Sequence, residues 1–182
     1  MIESSPLNFR RVVIWIGRLV LGGIFIYAGY AKLVMPMLPA TASWGTTLSY
    51  LFMQHRPPLG LAISLFAFQV NSYQLLSPSG VRFVAHTLPF AEIALGLLLV
   101  IGWQLRIWAT IVTLIILGFF GAVVRSYAMG LEINCGCFAT PEPLTIKTVI
   151  RDGIFAALAL AMTIFAFIEA RKPHPWSARE NA

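Results

Sequence analysis

The sequence predicts an all-α integral membrane protein: a four-helix bundle with an additional short interfacial or re-entrant helix in the first outer loop. Three observations predict it. Of 182 residues, 58% are hydrophobic and 11% charged, with a mean hydropathy of +0.80, whereas about a quarter of the residues of a soluble domain are charged. Four mainly apolar stretches, roughly 12–34, 83–103, 106–129 and 146–168, each reach the length of about 20 residues that a spanning helix needs. These runs also lack the alternation of membrane strands, and in lipid a helix satisfies its own backbone groups, so helices are preferred over a barrel. Residues 1–182 contain no internal repeat, low-complexity tract or soluble domain, and are read as a single transmembrane domain.

Span one, "WIGRLVLGGIFIYAGYAKL", has an apolar run longer than the core of a secretion signal, about 7–15 residues, and is expected as a retained helix. Its glycines, Gly17, Gly22, Gly23 and Gly29, allow a neighbouring helix to approach closely. The region 35–82 opens with Pro36 and Pro39 and is broken by "RPPLG" and "LSPSG". Within it "LGLAISLFAF" is too short to cross and is followed by Gln69, Asn71, Ser72 and Gln74, so it reads as the short helix of the outer loop. "GWQLR" makes a tight turn between spans two and three, which are expected to form an antiparallel hairpin, with Trp103 and Trp108 at the membrane interface. After span three, Gly130, Gly136, Pro141 and Pro143 preclude regular helix in "MGLEINCGCFATPEPLT".

The net charge of +6 does not indicate nucleic acid, because the basic residues gather at helix ends. Arg10, Arg11 and Arg18, then Arg106, then Arg171, Lys172 and Arg179 mark the cytoplasmic side by the positive-inside rule, with both termini in the cytoplasm of a multi-pass inner-membrane protein. A fifth crossing would place Arg171 and Lys172 on the wrong side. The loop after span one and the loop with the cysteines then face outward.

Lys32, Glu92, Arg125 and the neighbours Arg151 and Asp152 fall within the spans, where each charge costs a few kcal/mol and needs protein or water around it. All are expected at one level, beneath the cysteine loop. A purely structural reading pairs Glu92 with Arg125 and Asp152 with Lys32; a functional one makes them a polar pocket below the thiols.

Both cysteines, Cys135 and Cys137, stand one residue apart in "NCGCFATPEP". An outward loop lies in an oxidising compartment, where thiols form or exchange disulfides. Sulfurs two residues apart close only a tight ring, which exchanges readily, and Gly136 eases its backbone. A structural disulfide here would constrain almost no chain entropy. Arg125 and Arg151 are placed to favour thiolate. Two thiolates also suit a soft ion such as Cu(I), but His86 is the only nearby histidine and a closed zinc site needs four ligands, so no metal site is assigned.

Across "RLVLGGIFIYAGYAKL", "SYQLLSPSGVRFVAHTLPFAEIALGLLLVIG", "RSYAMGLEINCGCF" and "IRDG" the chain resembles the DoxX-like membrane proteins, in the branch typified by the methylamine-utilisation protein MauE. It departs from the usual pattern at Ala139, where a glycine is customary, and residues 37–58 look like an insertion. The resemblance implies a four-helix bundle of the bacterial cytoplasmic membrane, similar in plan to the quinone-linked disulfide-forming proteins, that helps a disulfide-rich partner enzyme mature. It also singles out Glu92, Arg125, Cys135 and Cys137, with Arg151 and Asp152 next. With one cysteine pair, no relay between two pairs can be drawn.

The reading is therefore a redox-associated membrane protein whose outer pair exchanges with a periplasmic or membrane thiol or disulfide protein. One cysteine attacks as thiolate and the other resolves the mixed disulfide. Arg125 and Arg151 stabilise the thiolate, Glu92 or Asp152 relays a proton, and a quinone in the helical pocket is the candidate electron acceptor. Two alternatives stay open: a non-enzymatic accessory subunit of a larger membrane complex, and a soft-metal carrier.

Overall fold

A computed structural model describes residues 6–34, 58–136 and 142–170. Cys137, Ala139, Pro141, most of the 37–58 insertion and the basic residues Arg171, Lys172 and Arg179 lie outside the described residues. The described chain forms five helices: α1 (Pro6–Val34), α2 (Leu59–Ser72), α3 (Pro78–Ile101), α4 (Leu105–Ala128) and α5 (Ile146–Ala170). Four of them contain apolar spans of 24 residues, Arg10–Leu33, Pro78–Ile101, Leu105–Ala128 and Ile146–Glu169. At about 1.5 Å per residue each is about 36 Å long, enough to cross a hydrocarbon core of about 30 Å. The chain is thus a multi-pass membrane protein, a four-helix bundle carrying a short fifth helix. The 14 residues of α2 reach only about 21 Å and cannot cross.

α1 is central. It packs antiparallel on α3 and more lightly on α5, while α4 packs chiefly on α5. Small residues set the α1/α3 crossing: a Cβ on Gly96 would lie 2.7 Å from the Gly22 carbonyl and 2.9 Å from Ile26 N. Only glycine permits that approach, as expected where packing rather than water exclusion drives association. Gly96→Leu is expected to cost about 1–3 kcal/mol by overpacking. Gly23→Leu, at a position where a Cβ meets nothing within 4 Å, is the control, and thermal unfolding in micelles compares the two.

Local chemistry explains the helix ends. Pro78 opens α3, and the Ser77 hydroxyl accepts from Gly80 N at 3.4 Å, so "LSPSG" is both a breaker and a cap. Gly102 closes α3 in the left-handed region (φ +78°), as C-terminal glycines do. Arg18 then reaches across from α1, donating through Nε to Leu99 O at 3.1 Å and through Nη2 to Val100 O at 2.8 Å, which satisfies carbonyls the helix leaves orphaned.

Leu21, Phe25, Leu95, Leu99, Ala109, Val112, Ala159 and Met162 form a buried core at the end of the bundle that carries the Gly102 turn. Trp108, in the first turn of α4, is partly buried and packs against this core. The expected α3/α4 hairpin exists, but the two helices touch little, because each is held by another neighbour, α3 by α1 and α4 by α5. Their far halves consequently enclose a cavity.

Candidate functional site

The cysteine loop is built as a short extended stem. Asn134 and Pro143 form an antiparallel bridge, Cys135 N donates to Glu142 O at 2.9 Å, and Leu144 N donates to Ile133 O at 2.9 Å. Gly136 takes φ +67°, and a Cβ there would meet Gln69 of α2 at 3.2 Å, so glycine is required both by conformation and by the closeness of α2. Tyr73, at the end of α2, donates its hydroxyl to Cys135 O at 2.6 Å. The stem and α2 thus fix Cys135 from both sides, and its residue is only 4% exposed.

The thiol sits over the first turns of α5. Arg151 Nη2 lies 3.7 Å from Cys135 Sγ, and Asp152 Oδ2 lies 3.9 Å from it. The same guanidinium donates through Nε to Asp152 Oδ1 at 3.0 Å and through Nη1 to Glu142 Oε2. One cation therefore serves two carboxylates and a sulfur. For a thiolate, attraction to Arg151 and repulsion from Asp152 act at nearly equal distances; at an effective dielectric of about 20 each is about 4 kcal/mol and they largely cancel. Glu142, bonded to the same guanidinium, adds a further negative charge nearby, and Cys135 Sγ lies within donating distance of Asp152 Oδ2.

A second polar cluster lies nearby. Lys32 Nζ donates to Glu92 Oε1 at 2.9 Å and Oε2 at 2.8 Å, with side chains only 5% and 7% exposed. It lies 3.5 Å from Ala28 O and 5.5 Å from the centre of the Phe66 ring of α2. Both clusters line a single cavity of about 400 Å³, whose walls come from all five helices and the cysteine stem. Phe25, Leu88, Phe119, Phe120 and Phe155 are among its apolar residues; its ionisable side chains are Lys32, Glu92, Cys135, Asp152 and Tyr73.

The expected pairings are corrected. Glu92 pairs with Lys32 rather than Arg125, because the close α1/α3 crossing brings residue 32 beside residue 92. Asp152 pairs with Arg151 rather than Lys32, because the arginine folds back along its own helix toward the stem. Arg125 is exposed in the last turn of α4 and does not line the cavity; its long side chain suits the headgroup region and the negative end of the helix. His86 is exposed on α3, its Nδ1 2.8 Å from Arg82 O. Among the described residues no group of three His, Cys, Asp or Glu side chains is placed to hold a metal ion.

The model of a family described as methylamine utilisation protein MauE matches residues 10–165, from the first span through most of α5 and across the cysteine loop. The chain belongs to the MauE family. No curated protein and no solved structure matches it. In this MauE-family chain, Tyr73 and Glu142 join the site although sequence reasoning passed over both. Glu142 was within reach of inference, since it stands only seven positions after Cys135 in "CGCFATPEP" and the Asn134/Pro143 bridge sets the two side by side; Tyr73 had no comparable signal.

Proposed function

We propose that this MauE-family protein performs thiol–disulfide exchange with a protein partner at the outer face of the bacterial cytoplasmic membrane, and that the partner is a disulfide-bearing component of methylamine utilisation. The observation that carries the reading is the seat of Cys135 Sγ, within 4 Å of both Arg151 and Asp152 at the rim of an apolar cavity. A partly buried cation and a proton acceptor on one thiol are what exchange chemistry uses. The clustering of Arg10, Arg11, Arg18 and Arg106 at the other end supports cytoplasmic termini, and the family description supports the pathway.

In the exchange, one thiolate of the Cys135/Cys137 pair attacks a partner disulfide. A mixed S–S bond forms as the partner's breaks, and the released partner sulfur takes a proton. The second cysteine gives its proton to Asp152 and attacks the mixed disulfide, which closes the Cys135–Cys137 bond and frees a partner with two thiols. Two electrons have moved to the partner; the same steps in reverse oxidise a partner dithiol. Because Cys135 is buried, Cys137 takes the partner-facing role and Cys135 the interior one.

Cells carrying Cys135→Ser, Cys137→Ser are expected to lose correct disulfide formation in the partner enzyme, read by mass spectrometry of its disulfide-linked peptides. Unaltered partner disulfides in those cells would leave an accessory-subunit role in its place.

A further inference from the structure

We infer that the groove between α1, α4 and α5, at the end of the bundle away from Cys135, is a binding site for one anionic phospholipid, with Arg11 and Arg106 on its phosphate and the apolar walls along an acyl chain. The site is separate from the thiol chemistry and does not depend on it. Helix packing creates the space. α1 and α4 both pack on α5 but make little contact with each other, and a groove of about 1080 Å³ lies between them. Compact small molecules occupy pockets of about 300–1,000 Å³, so there is room for a longer chain. The lining is divided along the bundle axis. Arg11, Arg106 and Glu169 stand within two residues of the ends of their spans, at headgroup level, while Ile14, Trp15, Ile111 and Ala166 carry the wall inward. Trp15, Ile107 and Phe167 are exposed on the flank of the bundle, where the groove meets lipid.

The charges choose the headgroup. Arg11 Nε lies 3.6 Å from Glu169 Oε1, with side chains 66% and 28% exposed, a loose pair that leaves the guanidinium open to a second acceptor. Arg106 is exposed and makes no ion pair among the described residues. Two guanidiniums against one carboxylate leave one positive charge on the groove. A phosphodiester with one net negative charge, as in phosphatidylglycerol, matches it, whereas a zwitterionic headgroup brings its own cation into the same space. Basic pockets between membrane helices select anionic lipid for this reason, and the arginine fork suits phosphate oxygens. The backbone adds to the attraction. Gln104 sits at φ +43° and gives α4 no side-chain cap, so the first amides of α4 have no intrahelical partner and lie at the positive end of its dipole. The inner wall is held in place as well. Arg18 Cζ stands 4.5 Å from the centre of the Trp15 ring, and Arg18 is itself anchored by the Leu99 and Val100 carbonyls.

Binding is measured by native mass spectrometry on the full chain, delipidated in micelles and titrated with dioleoyl phosphatidylglycerol; dioleoyl phosphatidylcholine and glycerol phosphate are the comparison probes. One phosphatidylglycerol per chain is expected at saturation, with phosphatidylcholine about fivefold weaker or more and glycerol phosphate unable to compete. Arg106→Gln removes a cation and Ile107→Trp fills the groove, both at exposed positions that leave the core intact. Each is expected to weaken phosphatidylglycerol about fivefold. Glu169→Gln removes the carboxylate that opposes the phosphate and is expected to tighten binding by a similar factor, a gain that a purely structural Arg11–Glu169 pair would not give. Arg82→Gln, exposed on α3 and outside the groove, is the control and is expected to change nothing. Equal retention of the two lipids, competition by glycerol phosphate, or indifference to both Arg106→Gln and Ile107→Trp would overturn the site. So would a loss in Arg82→Gln as large as that in Arg106→Gln, which would mean diffuse surface charge rather than a groove.

Discussion

Lys32→Met is expected to lower the stability of the bundle by about 3–5 kcal/mol, because it leaves the Glu92 carboxylate buried without its partner. Both side chains are almost fully removed from solvent and bonded twice, at 2.8 and 2.9 Å, and the surrounding medium is protein and lipid rather than water. Removing both charges has the opposite consequence. Lys32→Met combined with Glu92→Leu replaces a desolvated pair with apolar volume and is expected to fall within about 1 kcal/mol of the parent, since a buried ion pair and its apolar replacement are often of similar stability. Unfolding in micelles of both single variants and the double variant gives the coupling energy directly. Additive costs in that cycle would mean that the two groups do not act as a pair.

Arg151→Gln is expected to slow the reaction of Cys135 with a small neutral alkylating reagent by about an order of magnitude at neutral pH, because the thiolate formed on reaction then faces Asp152 and Glu142 without the one cation between them. The direction of the effect separates two roles. If Arg151 only clamps the stem to α5 through Glu142, its loss opens the loop and the thiol reacts faster. If it holds the charges of the reacting thiol, the thiol reacts more slowly although it is less well covered. Arg151→Lys is expected to recover only part of the rate, since an ammonium cannot reproduce the planar fork that reaches Asp152, Glu142 and Sγ together.

The four spans and the short helix were legible from apolar run length alone, because in lipid the backbone has no other way to satisfy itself. Boundaries shifted where a local signal had two meanings: "LSPSG" breaks the chain before α3 but also caps it, so the helix starts at Pro78 rather than near residue 83. Which charges meet was not legible. The level of a residue along its helix can be counted from sequence, but the face it turns depends on the crossing of two helices, and here the meeting of Gly22 with Gly96 decides that Lys32 reaches Glu92. Arg125 has the same depth signal as Arg151 and turns outward. Cys135, Arg151 and Asp152 were each recognisable as candidates from residue type and position, and it is the Asn134/Pro143 bridge that brings the sulfur onto α5. Tyr73 contributes through a tertiary contact made 62 residues away, which no local pattern encodes.

The central claim is that the Cys135/Cys137 pair cycles between states in exchange with a partner. Its most direct test is the redox state of the two cysteines in the membrane, captured by rapid acid quenching, mass-tagged alkylation and non-reducing gels. The account predicts reduced, internally bridged and partner-linked forms whose proportions follow the redox poise of the cells. Thiols locked in one state with no partner-linked species would contradict it.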